Sequence, residues 1–373
     1  MWQEVRDLFP IHRQCAYLNN AGVTPPSLRV LEALEAYHRL HADQGWPRAG
    51  RVVREAGTGI KRILAELLRC PPTSLALVHN TSEGMNIVAQ GLRWSPGDTV
   101  LGFDREYPAN VYPWWNLERK GVRLVRLEPT DPGDELRHLE RELHGRVRVV
   151  AVSAVDWRTG AVRDLAALGG ACKRQGVLLI VDVAQALGVV PLDPRATGMA
   201  ALAGSAWKWL LGPVGLGILY VSEELLGELD LVYAGTDSVA DTGNYLPYRF
   251  TLKPDASRFE FSTPNHNDWV YFQASLKLLE EIGFARVRER ILSLTAFLRD
   301  GLTQKGFRIA GPKEAVERSG IVSFRREGRF DALGTVVRLA EQKIVVKERD
   351  GMVRVSPHVY NNEEELERLL AAL

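Results

Sequence analysis

Short apolar runs alternate with amphipathic stretches from about residue 75 onward, in the rhythm of strands followed by helices. The runs predict the strands Leu75–Val78, Thr99–Phe103, Val122–Leu127, Val147–Ser153, Val177–Val181 and Leu216–Val221. The stretches between them predict the helices Glu83–Leu92, Pro108–Lys120, Asp134–Leu143 and Leu165–Gln175. Because the runs are almost continuous in valine, leucine and isoleucine, they are typical of a mostly parallel sheet buried on both faces in an α/β fold.

The rhythm changes after Pro264, where a smaller α+β domain is predicted. Its predicted helices are Trp269–Ile282, Ala285–Lys305, Ala332–Glu341 and Glu363–Leu370, and its predicted strands are Ile321–Phe324, Ile344–Val346 and Met352–Val355. The segment before Asn20 precedes the first predicted helix, Pro26–Leu40, and belongs to no strand–helix unit. We therefore expect residues 21–264 to form a large domain, and residues 1–20 and 265–373 to form the small one.

Composition narrows the class of protein. The 373 residues include 47 basic and 46 acidic side chains, so the net charge of +1 gives no reason to expect nucleic acid or a membrane surface as a partner. The N-terminus lacks the basic and then apolar pattern of a signal peptide. The three cysteines are far apart and form neither a disulfide framework nor a metal-binding motif, which favours a cytoplasmic protein without a bound metal.

Three polar residues lie where predicted strands end, which is where open α/β sheets bind ligands. Asp182 closes the strand Val177–Val181, Gln185 follows it, and Lys208 lies between two tryptophans. A buried lysine has a lowered pKa and forms Schiff bases with aldehydes, while a carboxylate holds a pyridine nitrogen protonated. In this order the three residues indicate a pyridoxal phosphate (PLP) site, with Gln185 donating to the phenolic oxygen. Alternatively, Asp182 caps a helix and Lys208 extends to solvent from a sheet edge.

Hydroxyl and aromatic side chains surround these positions. Thr81 and Ser82 lie where the first strand meets the following helix. Hydroxyls and free N–H groups bind phosphate at such a position, although an ordinary helix cap has the same residues. Ser205 and the indole N–H of Trp207 are further candidate phosphate ligands. Tyr107 follows the strand Thr99–Phe103, and its ring stacks either on the cofactor or within the core.

Arg354 alternates with apolar neighbours in the strand Met352–Val355, so it is expected to point inward. An inward arginine requires an anion, and either a substrate carboxylate or an internal salt bridge satisfies it. His358 is interpreted as structural, because no second ligand or carboxylate lies at metal or dyad spacing.

These residues resemble those of the fold-type I PLP enzymes of the class V aminotransferase group, which includes cysteine desulfurases and isopenicillin N epimerase-like proteins. The likeness covers nearly the whole chain. It is carried by the segments 17–22, 81–84, 106–110, 181–185, 205–208, 262–265 and 354–361.

The resemblance implies a role for each matching residue. Lys208 would be the Schiff-base lysine and proton shuttle, and Asp182 and Gln185 would contact the cofactor ring. The remaining cofactor ligands would be Thr81, Ser82, Tyr107, Ser205, Trp207 and, from the second subunit of a homodimer, Thr263. Arg354 would bind the α-carboxylate of an amino-acid substrate, and Asn20 would line the substrate side.

Two departures affect the reaction that we expect. The desulfurases carry a nucleophilic cysteine on a loop that corresponds to Ala340–Val353, which contains no cysteine here. Trp157 and Trp207 replace the asparagine and histidine that desulfurases usually have. We therefore expect an aminotransferase or epimerase-like enzyme. The alternatives are a C–S lyase of the cysteine desulfurase or selenocysteine lyase kind, and a non-catalytic α/β binding protein.

Overall fold

The computed structural model describes residues 1–128, 134–243, 246–312, 314 and 317–373. Its strands are β1 (Ala16–Tyr17), β2 (Leu75–Val78), β3 (Thr99–Phe103), β4 (Arg123–Leu127), β5 (Val147–Ser153), β6 (Leu178–Asp182), β7 (Met199–Ser205), β8 (Gly217–Val221), β9 (Arg308–Ala310), β10 (Val322–Arg325), β11 (Ile344–Val345), β12 (Lys347–Arg349) and β13 (Met352–Val355). Its α-helices are α1 (Trp2–Asp7), α2 (Leu28–Gln44), α3 (Trp46–Leu68), α4 (Thr81–Gly91), α5 (Tyr112–Trp115), α6 (Glu135–Glu142), α7 (Leu165–Arg174), α8 (Pro194–Thr197), α9 (Glu223–Glu228), α10 (His266–Ile282), α11 (Phe284–Gln304), α12 (Ala332–Glu341) and α13 (Glu363–Ala372). Within these described ranges, no helix is both long and apolar enough to cross a lipid bilayer.

A sheet of seven strands forms the centre of the molecule, in the order β2-β8-β7-β6-β5-β3-β4. All pairs from β7 to β4 are parallel, whereas β8 runs antiparallel to both of its neighbours. The central strands are buried on both faces, as their continuous apolar sequences require. The predicted α/β fold with a mostly parallel sheet is therefore confirmed.

The N-terminal segment packs on the C-terminal part of the chain. Strand β1 pairs in parallel with β11, and Asn19 forms a bridge with Ser356. A second sheet, β12-β13-β10-β9, shares an apolar core with helices α11 to α13. Helix α10 packs instead against α2 and α3, and most of its buried apolar residues belong to the core of the large sheet. The C-terminal core thus takes its helical residues from α11 onward.

Three differences from the sequence-based elements have identifiable physical causes. The predicted helix Pro108–Lys120 is broken into α5 and two flanking 3₁₀ turns, and Pro113 lies within it. Strand β7 was not predicted, because Met199–Ser205 contains no β-branched residue; burial between β6 and β8 makes it a strand. Helix α3 was not predicted either, because its glycines lower helix propensity. Gly57 nevertheless suits the packing, since a Cβ there would overlap the ring of Trp269.

Candidate active site

A cleft of about 600 Å³ opens where strands β2, β3, β5, β6 and β7 end. Its lining includes nine of the eleven residues predicted for the site, namely Thr81, Ser82, Tyr107, Asp182, Gln185, Ser205, Trp207, Lys208 and Arg354. They come from separate segments of the chain, and the parallel strands bring them to one edge of the sheet. The volume is within the range of small-molecule and cofactor sites.

Lys208 lies just beyond β7, in a loop whose backbone is fixed by Thr24. The Thr24 amide donates to the carbonyl of Trp207 at 2.9 Å, and its hydroxyl donates to the carbonyl of Lys208 at 2.8 Å. Burial lowers the pKa of Lys208 to about 8, with the cationic Arg354 and Arg349 acting in the same direction and Asp182 opposing them. The amine is therefore readily available in its neutral, nucleophilic form.

Asp182 is the last residue of β6 and is only 5 % exposed. One carboxylate oxygen accepts a hydrogen bond from the Ala184 amide at 2.8 Å. Burial raises the pKa of Asp182 to about 6; Lys208 opposes this shift, and the nearby Glu106 adds to it. The desolvation of this buried carboxylate is offset by few hydrogen bonds, so the carboxylate is suited to pair with a cationic ligand atom.

Gln185 is held in place from both ends of its amide. Its nitrogen donates to the carbonyl of Ala21 at 3.0 Å, and its oxygen accepts from the indole of Trp209 at 3.0 Å. An amide nitrogen carries two hydrogens, so one donor remains for a ligand in the cleft. Trp209 also stacks on the buried His358, whose ring nitrogen Nε2 donates to the Trp209 carbonyl. His358 thus has the structural position that was predicted.

Hydroxyl groups converge at one side of the cleft. Thr81 and Ser82 are the first residues of α4, and the Thr81 hydroxyl lies 2.8 Å from that of Ser205 at the end of β7. Asn80 caps the helix by accepting from the Glu83 amide, so the hydroxyls of Thr81 and Ser82 are not needed as caps. Free amides at the start of the helix and two hydroxyls together form a suitable cradle for a phosphate.

An aromatic ring lies near the Lys208 amine. The ammonium of Lys208 is 5.7 Å from the ring centre of Tyr107, which packs edge-on against Trp157 at 5.6 Å. Tyr107 is 46 % exposed and lines the cleft, so it is not a core residue. Trp207 is half-buried and also lines the cleft.

Arg354 lies in the middle of β13 and is 2 % exposed. One terminal nitrogen donates to the carbonyl of Trp157 at 2.8 Å, and no carboxylate pairs with its guanidinium within the described ranges. Its Nε atom is buried there without a hydrogen-bond partner. Burial, assisted by Arg349, lowers the pKa of Arg354 to about 10. The internal salt bridge that was the alternative for this residue is not observed among the residues described.

Two predicted residues lie outside the cleft. The side chain of Asn20 is fully buried and is used internally: its amide donates to the Ser356 carbonyl, and its oxygen accepts from the Tyr360 hydroxyl at 2.6 Å. Asn19 lines the cleft in its place. Thr263 lies in a separate depression of about 260 Å³ with Trp46 and His266.

Sequence reasoning missed a buried ionic cluster behind the cleft. Arg163 contacts Glu106 at 2.8 Å and Glu135 at 3.0 Å, and it donates to the Ser153 carbonyl at 2.7 Å. Glu106 also accepts from the Ser153 hydroxyl. The position of Glu106, three residues after the end of β3 and next to Tyr107, was a signal for a site residue. Nothing in the local sequence indicated Arg163, because its partners are far away along the chain.

All three cysteines are described, and none lines the cleft. Burial raises the pKa of Cys70 to about 11 and that of Cys172 to about 12, and the pKa of Cys15 is raised for the same reason. These thiols remain protonated and poorly nucleophilic. Within the described part of the chain, no group of histidine, cysteine and carboxylate side chains has the arrangement of a metal site.

Comparisons with known proteins identify the family of the chain. The family model Aminotransferase class-V matches residues 16–369. A probable cysteine desulfurase of Pyrococcus abyssi is 28 % identical, with 100 % of this chain and 96 % of the relative aligned. The uncharacterized aminotransferase YcbU of Bacillus subtilis is 27 % identical, with 98 % and 95 % aligned.

Solved structures extend the likeness to three dimensions. A lysine-to-alanine mutant of C-DES, with glycine covalently linked to the PLP cofactor, superposes with a TM-score of 0.91 at 27 % identity and 98 % coverage of both chains. Another structure shows the cystine C-S lyase C-DES with its product cysteine persulfide; its TM-score is 0.90 at 27 % identity, with 97 % of this chain and 98 % of that chain covered. PLP is the cofactor of this family, as the sequence predicted. The chain belongs to the class V aminotransferase family.

Proposed function

We propose that the protein binds PLP on Lys208 and uses it to transform an amino acid, by transamination or by an epimerase-like proton transfer. The observation that carries the proposal is the placement of Lys208 in one cleft with Asp182 and Arg354. When bound, PLP supplies an aldehyde for amines and a ring that accepts electrons from the substrate Cα. Family membership supports the cofactor and the class of enzyme.

The residues present fit the cofactor. A protonated ring nitrogen would provide the cation that the buried Asp182 carboxylate lacks. The free amide hydrogen of Gln185 would bind the phenolic oxygen, and Tyr107 would stack on the ring. The phosphate would be held by the hydroxyls that converge on α4, together with the Trp207 indole; these are Thr81, Ser82 and Ser205.

The protein groups then divide the chemistry between them. The guanidinium of Arg354 would bind the α-carboxylate, because its Nε atom is buried without a partner and only one terminal nitrogen is bonded to the Trp157 carbonyl. The Lys208 amine, once exchanged for the substrate amine, would take the Cα proton, and its pKa of about 8 suits a base at neutral pH. Return of that proton to an atom other than Cα would lead to transamination, whereas inversion at Cα would require a second group to deliver a proton to the opposite face of Cα.

A persulfide-forming desulfurase is disfavoured. That reaction requires a nucleophilic thiolate beside the substrate, and none of the three cysteines lines the cleft. The stretch Ala340–Val353, which was compared with the desulfurase loop, contains the end of α12, the strands β11 and β12, and the start of β13. A C–S lyase remains the second candidate, because the likeness to C-DES favours it and elimination of a sulfur substituent needs no cysteine on the enzyme.

We also propose an oligomeric state for the protein. Thr263 lies in a depression apart from the cleft, so we propose a homodimer in which Thr263 reaches the phosphate in the partner's site. The free cysteines suit a cytoplasmic enzyme, since reducing conditions keep thiols free.

The experiment is a product screen with PLP-loaded protein and a panel of L-amino acids, with and without a 2-oxo acid acceptor. We expect transfer of the amino group to the acceptor or formation of the D-enantiomer. Release of alanine and persulfide from L-cysteine would contradict the proposal in favour of a desulfurase, and selenide release from selenocysteine would identify the related lyase. Cysteine persulfide formed from cystine would establish the C–S lyase. A protein that takes up no PLP would exclude all of these enzymes.

A further inference from the structure

We propose that the preferred substrate carries a second carboxylate at the end of its side chain, and that Lys347 and Arg349 bind it. This inference rests on the proposed function and names the substrate class of the same site. Both residues line the cleft with Arg354 and Lys208. Neither was among the residues predicted from the sequence.

The hairpin of β12 and β13 delivers these cations. Lys347 on β12 lies opposite Arg354 on β13 in the strand register. Arg349 follows two residues after Lys347 and therefore projects from the same face of the strand. The hairpin closes with Asp350 and Gly351, both in the left-handed region with φ of 51° and 72°. A short paired hairpin is more ordered than a free loop, so the two cations are held near the α-carboxylate site.

The charges of the cleft are strongly unbalanced. Its lining contains four cationic side chains and, apart from Asp182, no carboxylate; the four are Lys208, Lys347, Arg349 and Arg354. In the proposed function, the cofactor uses Lys208 and Asp182, and the α-carboxylate uses Arg354. The phosphate is held by hydroxyls and amides at the start of α4. Lys347 and Arg349 are therefore left without an anion.

The protein itself does not neutralise them. Within the described ranges neither residue forms an ion pair, and the hydrogen bond found for Arg349 goes to the carbonyl of Glu348. Nearby Arg158, which does not line the cleft, is paired with Asp156 at 2.7 Å and with Asp350 at 3.1 Å. The Glu348 carboxylate is also turned to the backbone, where it accepts from the Gly351 amide at 2.8 Å. The nearby carboxylates therefore pair with Arg158, and Lys347 and Arg349 have no ion-pair partner among the described residues.

The cationic side chains of the cleft repel each other, and binding of a ligand anion reduces that repulsion. A neutral side chain would leave both cations unpaired and would lose part of their solvation as the cleft fills. A carboxylate would pair with them instead and gain charge-assisted hydrogen bonds. We expect these bonds to make an acid bind at least about ten times more tightly than its isosteric amide. Such a ratio corresponds to about 1.4 kcal/mol of binding free energy.

The test measures binding to the PLP-loaded protein from the change in cofactor absorbance. L-Aspartate is compared with L-asparagine, and L-glutamate with L-glutamine, in a buffer without phosphate. The variant Lys347→Gln/Arg349→Gln removes the two cations. A matched control, Lys277→Gln/Arg325→Gln, removes the same charge from exposed positions outside the cleft.

In the wild type and the control we expect each acid to bind at least about ten times more tightly than its amide. In the double variant the ratio should fall close to one, because the acids bind more weakly while the amides bind at least as tightly as in the wild type. Equal affinity for acids and amides in the wild type would overturn the inference and leave the proposed function standing. Equal weakening of acids and amides in the double variant would also overturn it. No spectral response to any amino acid would refute both.

Discussion

Removal of the Arg163 guanidinium is expected to destabilise the protein strongly. The side chain is 8 % exposed, and its partners Glu106 and Glu135 are 2 % and 18 % exposed. Arg163→Met keeps most of the volume but leaves two buried carboxylates without their cation. Breaking a buried ion pair from one side costs about 3–5 kcal/mol. We expect a loss of that size in the free energy of unfolding.

Arg174→Met is the matched control. Arg174 contacts Glu140 at a comparable 2.7 Å, but the two side chains are 64 % and 45 % exposed. An exposed pair of this kind contributes less than about 1 kcal/mol. Urea unfolding of the cofactor-free variants, followed by tryptophan fluorescence, should therefore separate the two substitutions clearly, although their pair distances are similar.

The loss in Arg163→Met should also depend on pH. Burial already raises the pKa of Glu135, and Arg163 opposes that shift. Without the guanidinium, the folded-state pKa of Glu135 should lie further above its unfolded value. An acid with a raised folded pKa destabilises the native state when ionised, so the loss is full near pH 8 and shrinks as the pH falls towards 5. A loss as small as that of Arg174→Met, or one independent of pH, would refute the reasoning.

Two further predictions concern the lysine loop. The pKa of Lys208 is about 8, so the rate at which PLP attaches to the cofactor-free protein should rise between about pH 7 and 9 as the amine loses its proton; a flat rate profile would contradict this. Thr24→Val removes the hydroxyl that donates to the Lys208 carbonyl and should cost about 0.5–1.5 kcal/mol of unfolding free energy, whereas Thr24→Ser should retain the bond. Equal losses in the two variants, measured by urea unfolding, would exclude that role for the hydroxyl.

Much of the fold was accessible from the sequence, because buried parallel strands have a continuous apolar pattern. Strands β3, β5 and β13 have the predicted bounds. Strand β7 was missed because its residues are small and not β-branched, and only its neighbours make it a strand. Local pattern therefore fails where tertiary burial, rather than side-chain type, decides the conformation.

Some residues of the candidate site could be predicted from local sequence, and others could not. Asp182 and Thr81 were accessible because they follow predicted apolar strands, and parallel strands gather their ends. Lys208 was accessible for another reason, since it lies between two tryptophans in an apolar segment. Arg163 was not accessible, since its role depends on Glu106 and Glu135, which are distant in sequence. Asn20 and Asn19 differ by a single position, and only the packing of Tyr360 and Ser356 decides which of them faces the cleft.

Borohydride reduction of the PLP-loaded protein, followed by peptide mass analysis, tests the central claim most directly. The expected result is one pyridoxyl phosphate group on the peptide that contains Lys208. The label should be absent in Lys208→Ala and should remain on Lys208 in Lys347→Ala, which removes the other lysine that lines the cleft. A label on any other lysine of the wild type, or no label after loading with PLP, would contradict the claim that Lys208 carries the cofactor.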